Sequence, residues 1–247
     1  MTHRSPLALQ PIPVWQSLAW FGGAALLLYV LTCWGIPFWS QWSGWPVILS
    51  WFFLGGAGVF VPLFIAALTC ARRDSRFTDI SIWQRLQLRA LNRRDARWFA
   101  FGFVAIAVTT AAVTWLLQQL PEALGIPIPA HPAPPFLPFT GFEPGQHWML
   151  LPWLLFFFFN IFGEELMWRG CLLPRQMARH GQNAWLVNAF LWTLFHLSFG
   201  WYLLIMLLPI LWIIPYAVQK CRNTWVGILL HGVFNGGAFL ALSLRLL

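Results

Sequence analysis

Charge is what this chain has least of. Only 9% of its 247 residues are Asp, Glu, Lys or Arg, against about 25% in an average globular chain. With 59% hydrophobic residues, a soluble fold could not solvate its own surface. Alternating apolar and polar ten-residue segments are missing as well; stretches such as Leu150 to Phe159 are apolar on every side, which excludes a membrane β-barrel. The four cysteines (Cys33, Cys70, Cys171, Cys221) form no C-x-x-C pair, so neither a disulfide framework nor a zinc site is expected. There is no H-E-x-x-H, no dinucleotide or P-loop glycine pattern and no internal repeat. The N-terminus lacks a convincing small-residue cleavage site, and an uncleaved first helix is expected rather than a signal peptide.

What remains is apolar length. Mean hydropathy is +0.66, and uninterrupted apolar runs near the ~20 residues needed to cross a bilayer fall at 16 to 36, 46 to 70, 98 to 118, 148 to 169, 184 to 200, 201 to 219 and 224 to 244. The fold class expected is all-α, a polytopic membrane helix bundle of about seven transmembrane helices, with six to eight as the range. Basic residues orient it. Eight of the 15 lie between Arg72 and Arg97, while the 37 to 45 and 119 to 147 loops have none. With the N-terminus cytoplasmic, all but Arg245 fall on or beside the cytoplasmic side. The basic segment 72 to 97 is expected to touch anionic lipid head groups rather than nucleic acid, either as a short interfacial helix or as a solvated linker. The 119 to 147 stretch, with eight prolines, reads as an irregular external loop or lid. Tryptophans near span ends (Trp15, Trp39, Trp45, Trp98, Trp148, Trp201) are expected as interfacial anchors.

Against this background a few polar residues are costly. Glu164 and Glu165 follow directly on a phenylalanine-rich run, where an ionisable side chain costs about 2.5–3.5 kcal/mol on insertion scales and is a functional candidate by default. On a helix the two point about 100° apart. Arg169 is i+4 from Glu165, which suits an ion pair. Glu164 is then left without a local partner and free for chemistry, with Asn160 one turn earlier on its face. His196 lies in the following span with Trp192 one turn before it. His231 and Asn235 leave one face of the last span at i and i+4. Taken singly, each has a structural explanation: a wet helix end, a packed histidine, polar glue between helices. Together, Glu, His, His and Asn on three helices at compatible depths make a set that can activate water: a carboxylate beside an imidazole as base, and an imidazole with an amide as donors to an oxyanion.

The string Glu164-Glu165-Leu166-Met167-Trp168-Arg169 resembles the E-E-x-x-x-R motif of the CAAX protease and bacteriocin-processing (CPBP, or ABI) family of membrane endopeptidases. His196 falls where that family has F-x-x-x-H, with Trp192 in the usual Phe place, and His231 to Asn235 is similar to its H-x-x-x-N. The resemblance covers roughly residues 148 to 240, so residues 148 to 247 are read as the catalytic bundle and residues 1 to 147 as additional transmembrane helices. It implies a glutamate-type intramembrane protease in which Glu164 and His196 activate water and His231 with Asn235 stabilise the oxyanion. Glu165 and Arg169 complete the motif. It further implies a peptide or protein substrate, lipidated or not, no cofactor and no metal, and residence in a bacterial inner membrane. Three other readings stay open on the residues alone: a non-catalytic immunity or scaffold protein of the same fold, a zinc metalloprotease using the same side chains, and a transporter with a glutamate proton relay.

Overall fold

In the computed structural model the described residues are 9–76, 79–129 and 133–246, without the side chain of Glu122. Arg4, residues 77–78 of the basic segment and residues 130–132 of the proline-rich loop lie outside them. The described residues are helical wherever they are regular, and contain no strand. Six helical stretches are long and apolar enough to cross a membrane, and the chain is an integral, multi-pass membrane protein. We label the elements α1 (Val14–Ser43) and α2 (Val47–Ser75), then α3 (Arg93–Leu124), α4 (Leu150–Glu165) and α5 (Leu173–His180). They are followed by α6 (Ala184–Phe195), α7 (Trp201–Cys221) and α8 (Thr224–Ser243).

The run His147–Phe195 is one of the six stretches, yet it contains two of the expected spans. From α4 it continues through a π-helical turn, Leu166–Leu172, into α5. It then reverses at a short 3-10 segment, Gly181–Asn183, where Gly181 has a positive φ of 57° that a side chain would strain. The expected span 184 to 200 is broken. Helix α6 ends at Phe195, and a 3-10 turn, Leu197–Phe199, leads to Gly200 and α7. Twelve residues of α-helix rise only about 18 Å, and the added turn makes the link from α6 to the start of α7.

Most basic residues gather at one end of the bundle. Arg89 holds Asp95 with two 2.7 Å hydrogen bonds and donates to the Cys221 carbonyl at 2.9 Å. Arg94 donates to the Lys220 carbonyl at 2.6 Å. Both supply donors to carbonyls that the end of α7 leaves without intrahelical partners. Arg175 pairs with Asp74 at the same end, and the Ile12 amide donates to the Arg175 carbonyl. At the opposite end the Phe142 amide donates to the Ser243 carbonyl, and Arg245 pairs with Glu143.

Two boundaries differ from the sequence expectation. Among the described residues of 72 to 97 only Ile82–Arg85 is an independent helical turn, closed by a Ser81–Gln84 capping box. The following Leu86 is fully buried, and its carbonyl accepts from Thr224 Oγ1 at 2.7 Å. The segment is therefore docked under the bundle by its backbone rather than laid out as an amphipathic helix. Helix α3 begins at Arg93, where Asn92 accepts from the amides of Arg94 and Asp95, and it continues past Pro121 to a left-handed Gly125. The proline-rich loop is correspondingly shorter than 119 to 147.

Candidate active site

The polar residues singled out above converge from α4, α6 and α8 into the interior. Gly163 permits this: a Cβ there would stand 2.5 Å from the Phe60 carbonyl oxygen, so only glycine lets α4 lie this close to α2 just before the two glutamates. On α8, Gly227 lies directly against the Glu165 carboxylate. A side chain at that position would take the space the carboxylate occupies.

Glu164 and Glu165 are both buried, 1% and 0% exposed, in different company. Glu164 Oε1 accepts from Asn160 Nδ2 at 2.9 Å, the i, i+4 contact expected along α4. Its Oε2 accepts from the Trp192 indole Nε1 at 2.5 Å, across from α6. Glu164 is thus not the unpartnered carboxylate that helical spacing suggested: its second donor comes from a different helix. Each oxygen still has a lone pair for one further bond. Glu165 stands 3.4 Å from Arg169 Nε, an ion pair too long for a hydrogen bond, and 3.0 Å from His231 Nδ1. The expected Glu165–Arg169 pair is present, and the imidazole contact adds to it. Arg169, fully buried, lays its guanidinium 3.4 Å above the Trp192 ring, a cation–π contact.

The remaining members complete the chamber. Asn235 donates to Asn160 Oδ1 at 3.1 Å and lies 3.4 Å from His231 Nε2, so the pair on α8 does face one point. Asn235 is the exposed member of the set, whereas His231 is 4% exposed. The structure places His196 at the residue that follows α6, not inside a continuous span, with its Nδ1 2.9 Å from the Trp192 carbonyl oxygen. That carbonyl can only accept, so Nδ1 carries the hydrogen and Nε2 keeps its lone pair in the neutral ring. Both imidazoles meet the Trp192 ring nearly perpendicular, His196 at 5.6 Å and His231 at 5.3 Å between centroids. Among the described residues no three His, Cys, Asp or Glu side chains are grouped to hold a metal ion.

Above His196 the proline-rich loop folds in. Phe136 packs on Trp51 at 5.3 Å and on Phe199 at 6.0 Å, and Phe199 in turn lies 5.1 Å from the His196 ring. Pro135 covers Gly200, where a Cβ would come within 2.9 Å of its ring. These contacts were not legible beforehand, because an irregular proline-rich stretch has no periodicity from which to read a face.

Residues 146–237, which span every one of these polar groups, match the family model described as type II CAAX prenyl endopeptidase Rce1-like. This region is similar to that family. The match bears out the resemblance to the CAAX protease and bacteriocin-processing family and nearly coincides with the stretch that carried it. The matched region contributes α4 through most of α8, while α1, α2 and α3 lie outside the match. No curated protein and no solved structure matches the chain.

Proposed function

We propose that the protein is an intramembrane endopeptidase that hydrolyses a peptide bond of a membrane-associated substrate with water activated by Glu164 and His196. The observation that carries this reading is the buried Glu164 carboxylate joined through Asn160 to Asn235, on the face of α8 that also presents His231. On this reading Glu164 is the base, and His231 and Asn235 are the donors to the oxyanion. Water held by Glu164 and His196 attacks the scissile carbonyl carbon as its proton passes to the carboxylate. The carbonyl oxygen becomes an oxyanion facing His231 and Asn235. The C–N bond then breaks as the proton is delivered to the leaving nitrogen, which restores Glu164.

Glu165 serves the second half of the site. Its carboxylate lies 3.0 Å from His231 Nδ1 and holds the ring with Nε2 toward the oxyanion. Arg169 balances the buried negative charge. The basic end of the bundle is assigned to the cytoplasm of a bacterial cell by its charge, with anionic head groups as its lipid partners.

Two internally quenched peptides with a CAAX ending, one farnesylated and one not, test the reading on detergent-purified protein. Cleavage of either that resists a metal chelator and is lost in Glu164→Gln supports it. Cleavage of neither peptide, together with identical membrane-peptide mass spectra from cells expressing wild type and Glu164→Ala, would leave a non-catalytic protein of this fold. Chelator-sensitive cleavage would point to a metalloprotease.

A further inference from the structure

We infer that Trp192 is a positioning residue that aims the Glu164 carboxylate through its indole N–H, an addition peculiar to having tryptophan where the resembled motif has phenylalanine. The inference rests on the reading of Glu164 as the base. Trp192 is fully buried and touches four of the polar residues at once. Its Nε1 donates to Glu164 Oε2, its ring lies under the Arg169 guanidinium, and its edges and faces meet both imidazoles. Its own carbonyl holds His196 Nδ1. A phenyl ring in the same place could supply the packing and the cation–π face, but it has no donor.

The consequence is geometric. A glutamate side chain has three rotatable bonds, and a base is useful only when its lone pair points at the water it deprotonates. Asn160 holds one oxygen from within the same helix, and that leaves the carboxylate free to swing about the Asn160 bond. Trp192 holds the other oxygen from α6, the helix that leads into His196. With both oxygens held, the carboxylate plane is fixed relative to the His196 ring. The two groups that share the attacking water are thus tied to one residue, Trp192 by its side chain on one side and by its carbonyl on the other.

Two measurements test this. In the first, the indole N–H signals of protein labelled with nitrogen-15 at its 18 tryptophans are recorded by NMR in detergent, and Trp192 is identified as the signal missing from Trp192→Phe. A charged acceptor moves an indole proton well downfield, so the Trp192 signal should shift upfield in Glu164→Ala. An unmoved signal would overturn the proposal whether or not the protein cleaves any peptide.

In the second, 3-benzothienylalanine is placed at position 192. It keeps the bicyclic shape and replaces the N–H by sulfur, which avoids the volume loss of a phenylalanine. Cleavage of the farnesylated quenched peptide should then show kcat reduced, by up to about 10²-fold, with KM and the thermal midpoint unchanged. Wild-type kcat in that variant would make Trp192 a packing residue only. Should the wild type cleave no peptide, the reading of Glu164 as a base fails, and the NMR result alone still decides whether the indole holds the carboxylate.

Discussion

Glu164 and Glu165 are adjacent in the chain and equally buried, but their partners separate them. Glu164 is met by two neutral donors, Asn160 and Trp192, while Glu165 is met by Arg169 and His231. Glu164→Gln should therefore abolish proteolysis and leave the protein folded with a modestly lowered thermal midpoint, because an amide fills the site and cannot take a proton from water, but its NH2 can accept from neither Asn160 nor Trp192 and one buried hydrogen bond is lost, at about 1–3 kcal/mol. Glu165→Gln should lose both activity and stability. Removing one partner of a buried ion pair leaves the other uncompensated, at a cost of about 3–5 kcal/mol, which chemical unfolding in detergent would read. An inactive but fully stable Glu165→Gln beside an active Glu164→Gln would mean that the two roles are reversed. For the oxyanion pair the split between kinetic constants is decisive. Asn235→Ala should lower kcat by about 10²- to 10³-fold with little change in KM, since its bond to the oxyanion exists mainly in the transition state. The double variant with His231→Ala should lose less than the product of the two single losses. A raised KM at constant kcat would make Asn235 a substrate contact instead.

The helices place these groups by where they stop and how closely they approach. Helix α6 ends at Phe195, so His196 is presented by the turn that follows, and that turn is covered by Pro135 and Phe136. Phe136→Ala should release it. Hydrogen exchange at the amides of Leu197 to Gly200 is expected to accelerate while the amides of α8 are unaffected, with activity falling alongside. Unchanged exchange at that turn would show that the loop does not hold it. On the other side, Gly227→Val should displace the Glu165 carboxylate and destabilise the bundle by about 1–3 kcal/mol, the usual range for overpacking. Seven apolar runs appear in the sequence where six long helical stretches appear in the fold because α4, α5 and α6 follow one another through helical turns, which puts two of the runs into the one stretch His147–Phe195. Hydrophobicity records which residues avoid water, and it carries no mark of a helix that reverses or ends inside the apolar layer.

For the molecule as a whole, the docking of Arg89, Arg94 and Arg175 at one end and of Arg245 at the other means that the basic end is a single structural surface. A membrane-impermeant thiol reagent applied to intact cells should reach Ala133→Cys and spare Ala178→Cys, each in a cysteine-free background. The opposite pattern would invert the protein and put the basic end outside. The all-helical class, the membrane residence and the membership of the polar set were legible from composition and spacing. So were the pairs Asn160 with Glu164, Glu165 with Arg169, and His231 with Asn235, because residues four apart on a helix share a face whatever surrounds them. What no reading of one chain could supply was the contact of Trp192 with Glu164, 28 residues apart, or of His231 with Glu165, 66 residues apart. Those depend on the rotation and depth of each helix in the bundle. Rotation and depth are set by close approaches such as Gly163 on the Phe60 carbonyl and by the end of α6 before His196, which exist only once the helices have packed.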